Sequence, residues 1–140
     1  MRPESALWKR IRPLFVMGKL DPIRVENPIH PGTPDVNICS GDWLELKTIP
    51  IWPRSGNIVQ LQHFTPQQRV FLYRRWKYAP RSTHLLLEVR STREYLLFWG
   101  DVAAKVVGRS AEAELRSQAR VVLQAGELDK LARLFAQPAV

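Results

Sequence analysis

The sequence predicts an α/β (α+β) fold, a layered sandwich about one central mixed sheet, and three observations carry that prediction. The segment from Trp43 to Ile49 alternates residue by residue as a strand does. Residues 65 to 79 open with Thr65, Pro66 and Gln68, which is the order of an N-cap, a proline at the first helical position and the third-position (N3) partner of a capping box. Two apolar runs, 82 to 89 and 94 to 100, flank the polar stretch Arg90 to Arg93 and read as the strands of a hairpin.

The remaining elements follow in order. Between Glu4 and Phe15, the residues Ala6, Leu7, Ile11, Leu14 and Phe15 recur at helical spacing with Lys9, Arg10 and Arg12 on the other face, so a short amphipathic helix is expected, ended or bent near Pro13. From Val16 to Asn27 the pattern turns extended, with Val16, Ile23 and Val25 and turn signals at Gly18 and Asp21-Pro22. Three prolines and one glycine within the nine residues Asn27 to Asp35 fix a loop. Val36 to Cys39 reads as a short strand with Cys39 as a small apolar member. In the next strand Leu44, Leu46 and Thr48 share one face, and Trp43, Glu45 and Lys47 the other. Pro50 to Phe64 is a long irregular connection with room for a strand at Asn57 to Leu61. After Asp101 the chain reads as helix over 101–108, 111–124 and 127–136, punctuated by Gly108 and Gly126. Residues 1–100 form the core and 101–140 a helical extension of the same domain.

Composition narrows the function classes. The 140 residues hold 21 Lys and Arg against 13 Asp and Glu, a net charge of +8, and 45% are hydrophobic, which excludes a disordered polybasic tail and permits a packed core. No apolar run approaches the roughly 18 residues of a membrane span, and the opening residues lack the apolar region of a signal peptide, so a cytoplasmic protein without a membrane partner is expected. Cys39 is the single cysteine and His30, His63 and His84 are scattered, so no internal disulfide forms and any metal is held by carboxylates. The positive surplus favours an anionic partner such as nucleic acid. Arg24, Arg54, Arg69, Arg74, Arg75 and Lys77 are the candidate DNA contacts, with Trp52 beside Arg54 a candidate for stacking on a base.

Chemistry concentrates at one place. Asp35 ends the proline-rich loop where a strand begins, and ten residues later the next strand delivers Glu45, Leu46 and Lys47. Residues i and i+2 of a strand share a face, so Glu45 and Lys47 project together, and a neighbouring strand starting at Asp35 brings a second carboxylate beside them. Two hard oxygen donors suit Mg²⁺, which takes one or two protein carboxylates and completes its shell with water and phosphate oxygens; Mn²⁺ is expected to substitute. Lys47 is placed to orient water or offset charge on a phosphate.

These residues resemble the motif of the PD-(D/E)XK nuclease superfamily: Pro34-Asp35, then Glu45-Leu46-Lys47, within an αβββαβ order of elements. More narrowly, Arg24-Val25-Glu26-Asn27, Gly32-Thr33-Pro34-Asp35-Val36 and Trp43-Leu44-Glu45-Leu46-Lys47 are similar to small phage-encoded nucleases near the VRR-NUC and Holliday-junction-resolvase groups. The resemblance spans about residues 4 to 100 and leaves the tail unexplained. It implies a restriction-endonuclease-like core and a Mg²⁺-dependent DNA endonuclease, with duplex or branched DNA as partner and a homodimer if junctions are cut in pairs. It implies Asp35 and Glu45 as metal ligands, helped by a backbone carbonyl near Leu46, and Lys47 as the catalytic lysine. Glu4 supplies a further acid from the first helix, with Glu26 its rival, and Gln68 matches a glutamine that such nucleases place at the start of the following helix. Each has a bland counterpart: Glu4 suits a helix N-terminus electrostatically, and Gln68 satisfies a capping box by itself. The alternative for the whole chain is a basic nucleic-acid-binding module without turnover.

Overall fold

The computed structural model describes residues 2–26, 30, 32–61 and 63–135. The first helix, α1 (Pro3–Met17), buries Leu7, Ile11 and Phe15 along one stripe. It runs through Pro13 to Met17, so the expected break near Pro13 and the extended reading of Val16 are both corrected. Pro13 lies on the exposed side, where the carbonyl it leaves unbonded can reach water, and the packing of Phe15 against Phe135 at 5.5 Å favours the last turn enough to offset the proline. The turn that follows is made by Lys19 and Asp21, both at positive φ.

Six strands form one sheet in sequence order: β1 (Ile23–Arg24), β2 (Val36–Asn37), β3 (Trp43–Ile49), β4 (Thr83–Val89), β5 (Glu94–Trp99) and β6 (Val121–Leu123). Only β3 and β4 run parallel, joined across α2 (Pro66–Tyr78); the other neighbours are antiparallel. The expected mixed sheet and the αβββαβ order of its first six elements are therefore present. Short helices follow at α3 (Gly100–Val106), α4 (Glu112–Gln118) and α5 (Lys130–Arg133), with a 3-10 turn at Ala125–Glu127.

One correction concerns the tail. Residues 111–124 are not a single helix: α4 stops at Gln118, Arg120 N–H donates to Leu97 O at 2.8 Å, and Val121 to Leu123 pair with β5. Two adjacent valines favour a strand, and the open edge of β5 supplies the hydrogen bonds that decide it. The strand expected at Asn57 to Leu61 reduces to a single bridge between Ile58 and Ala111. Cys39 is an exposed turn residue rather than a member of the strand, which ends at Asn37. Within the proline-rich loop, residues 27–29 and 31 lie outside the described ones.

The core is split by the sheet. On one face α1 and α5 cover Leu44, Leu46, Leu86, Tyr95 and Leu97. On the other, Leu72 of α2, Ala103 of α3 and Leu115 of α4 cover Leu85, Leu87, Leu96 and Phe98. Because β3 is central and covered on both sides, its odd-numbered residues Trp43, Glu45 and Lys47 face α2 and the connection that precedes it, as the edge contact of Trp43 with Phe71 (5.6 Å) shows.

Candidate metal centre

Asp35 is fixed from two sides. Its backbone carbonyl accepts from Val25 N–H at 2.7 Å, and its carboxylate Oδ2 accepts from Leu46 N–H at 2.8 Å. The carboxylate thus prolongs the ladder between β2 and β3 beyond the last residue pair, which holds it against the strand that carries Glu45. On its other side Arg24 Nη2 of β1 lies 3.7 Å from Asp35 Oδ1. Arg24, singled out in the sequence as a DNA contact, is therefore a neighbour of the carboxylate.

Glu45 and Lys47 are not a solvated strand face. Glu45 is 1% exposed and Lys47 5%, roofed by the segment that leads into α2. Lys47 Nζ donates to the carbonyl of His63 at 2.7 Å, stands 3.9 Å from Glu45 Oε1, and lies 5.6 Å from the centre of the Phe64 ring. Burial above all, and then the adjacent Asp35 carboxylate, push the Glu45 carboxyl well above the usual range, with Lys47 and Arg24 acting in the opposite direction. Glu45 Oε2 is buried and has no hydrogen-bond partner among the described residues. Two adjacent carboxylates with an orphaned inward oxygen form the environment that a small hard cation relieves, and the donor set fits Mg²⁺. The Leu46 side chain is fully buried on the opposite face, so only its backbone belongs to this centre.

The remaining candidates divide. Glu4 sits in the first turn of α1 and Glu26 is exposed after β1. Among the described residues neither joins Asp35 and Glu45 in a group of three ligands. Gln68 completes the capping box of α2: its Oε1 accepts from Thr65 N–H at 3.0 Å while its own N–H donates to Thr65 Oγ1 at 3.2 Å. The cap fixes the start of α2 immediately after the His63 and Phe64 pair that surrounds Lys47.

Of the proposed DNA contacts, Arg74, Arg75 and Lys77 are exposed along α2, and Arg54 is exposed in the connection after β3. Arg69 turns inward, donating to Ala104 O at 3.2 Å with its guanidinium 4.2 Å from the Phe64 ring centre, and burial lowers its pKa. Trp52 is likewise engaged, its Nε1–H donating to Glu94 at 2.9 Å beneath Arg116, which corrects its reading as a base-stacking group. Sequence reasoning missed the His63 carbonyl that holds Lys47, because every residue type carries that acceptor and no composition signal marks it. No family model, curated protein or solved structure matches the chain.

Proposed function

We propose that the protein is a Mg²⁺-dependent DNA endonuclease that hydrolyses phosphodiester bonds. The observation that carries this reading is the convergence of Asp35, Glu45 and Lys47 in one sheltered place, with Glu45 Oε2 left without a partner. A buried Glu45 with an unpartnered oxygen, next to the half-buried Asp35, is costly to keep without function, which favours a cation as the missing partner. The parallel β3/β4 pair bridged by α2, with the motif on β3, agrees with the PD-(D/E)XK resemblance of the sequence. The surplus of eight positive charges favours a polyanionic substrate.

In this reading Asp35 and Glu45 hold the cation. The cation supplies positive charge that lowers the pKa of water and offsets the negative charge gathering on the phosphate. Lys47, anchored by the His63 carbonyl, presents an ammonium at the same place and orients either water or a phosphate oxygen. Arg24 restrains Asp35 and adds a second cation beside it. Cleavage of branched DNA such as a Holliday junction requires two such centres related by symmetry, hence a homodimer.

The test is cleavage of labelled duplex, single-stranded, flap and four-way-junction DNA by the native and Asp35→Ala proteins, each with Mg²⁺ and with EDTA. Cleavage that disappears with both EDTA and the substitution supports the reading and names the preferred substrate. Salt-sensitive binding without cleavage under Mg²⁺ or Mn²⁺ would replace it with a non-catalytic nucleic-acid-binding module.

A further inference from the structure

A groove of about 950 Å³ lies between α2, Trp43 at the start of β3, and the residues His30 and Thr33. Its walls include Trp43, Phe71, Tyr78, Arg74, Arg75 and Thr33, and no acidic residue is among the described residues that line it. Phe71 meets Trp43 edge-on at 5.6 Å and has the Arg75 guanidinium 5.3 Å from its ring centre. Tyr78 is 75% exposed and Val70 60%, an unusual display of apolar and aromatic surface on a helix that carries four cations and no acid. Gly32, at φ +97°, brings the loop so close that a Cβ there would lie 2.5 Å from the Gln67 carbonyl, which closes one wall of the groove against the first turn of α2.

Two residues of the groove lie close in the chain to the candidate metal centre. Trp43 precedes Glu45 by two residues on the same face of β3, and Thr33 precedes Asp35 by two, a step of about 7 Å along an extended chain. We infer that this groove holds an unpaired stretch of the nucleic-acid strand next to the bond that is cut, with a base stacked on the exposed Tyr78 ring and its phosphates at Arg74 and Arg75. The inference rests on the nuclease reading for its position beside the scissile bond. The stacking argument decides between single strand and duplex: in a duplex the faces of internal bases are already covered by their neighbours, so exposed aromatic rings find partners only where bases are unstacked. The cations favour an anionic strand over an apolar peptide or a second copy of this +8 chain.

The experiment is an anisotropy titration of a fluorescein-labelled thymidine oligonucleotide about 12 nucleotides long, and of a blunt duplex of equal length, in EDTA so that binding is read without cleavage. The native protein is expected to prefer the single strand. Tyr78→Ala should weaken single-strand binding about tenfold and reduce its preference over duplex. Arg74→Ala should lower the slope of log affinity against log salt by about 0.7. Both side chains are exposed, so unchanged thermal melts would show that the fold is intact. Native-like single-strand binding and salt slope in both variants would overturn the inference. So would a concentration-dependent dimer that Tyr78→Ala dissolves, since a second copy would then occupy the groove. If the native protein cuts no DNA yet Tyr78→Ala loses the single strand, the nuclease reading fails and the groove stands; the converse pattern removes the groove alone.

Discussion

Glu45 is nearly sealed from water, it faces a second carboxylate, and one of its oxygens has no partner among the described residues. A carboxylate kept for structure would lose stability when neutralised, whereas one kept for a cation strains the empty fold. Glu45→Gln is therefore expected to keep or raise the melting temperature in EDTA, by up to about 3 °C, while abolishing cleavage with Mg²⁺. A fall of several degrees in calorimetry would assign Glu45 to structure. Glu94 is the opposite kind of acid. Both its oxygens accept from Arg116, at 2.7 and 3.0 Å, and Oε1 also accepts from Trp52 and Thr92. The Arg116 pair first, with Trp52 and Thr92 assisting and burial opposing, holds the carboxyl at about 2 rather than 4.5. Because the folded-state value is the lower one, the contribution is complete above 4.5 and is lost as pH falls toward about 2. Arg116 remains partly open to water, so screening leaves about 1 to 2 kcal/mol. Urea denaturation of Glu94→Gln should show that deficit at pH 7, with the gap to the native protein narrowing below about 4.5 and closing only as pH falls to about 2.

At the scale of elements, α2 matters beyond its own length. Its capping box sets where the helix starts, and the residues just before that start surround Lys47. Thr65→Val should cost about 1 kcal/mol in chemical denaturation. Gln68→Glu, which preserves the reciprocal cap, should leave stability unchanged; a loss of cleavage without loss of stability in that variant would give the glutamine the functional role suggested by resemblance. At the far end of the crossover, Thr83 Oγ1 donates to Leu72 O at 2.7 Å, tying β4 to α2, and Gly100 at the start of α3 lies against the same threonine. A Cβ at Gly100 would fall 1.9 Å from that hydroxyl. Gly100→Ala is thus expected to destabilise by about 3 kcal/mol through overpacking, read as a shifted denaturation midpoint. An unshifted midpoint would mean that the two elements separate freely.

Over the whole molecule the tail is part of the sheet and not an appendage. Leu123 of β6 packs with Leu131 and Phe135 against the α1 side of the sheet, while Leu115 of α4 fills the other side. A chain ending at Arg120 would expose the edge of β5 and the flank of Phe15, and is expected to aggregate or unfold non-cooperatively in a thermal melt. Cooperative, soluble behaviour of that shortened chain would show that residues 2–120 suffice.

Local chemistry alone determined much of this protein. Alternation gave β3, cap residues gave α2, the hairpin pattern gave β4 and β5, and the spacing of Asp35, Glu45 and Lys47 singled out the site. Each of those signals lies within one short stretch of chain. The tertiary structure decided the rest because the deciding partner is distant in the chain. Phe135 favours the turn of α1 beyond Pro13, the free edge of β5 makes a strand of Val121 to Leu123, and Glu94 and Ala104 draw Trp52 and Arg69 inward. The isolation of Glu45 Oε2 belongs to the same class, since burial and the absence of a partner are properties of the assembled sheet and its roof. A sequence can bring two carboxylates together by its spacing, but only packing determines whether water or a cation must satisfy them.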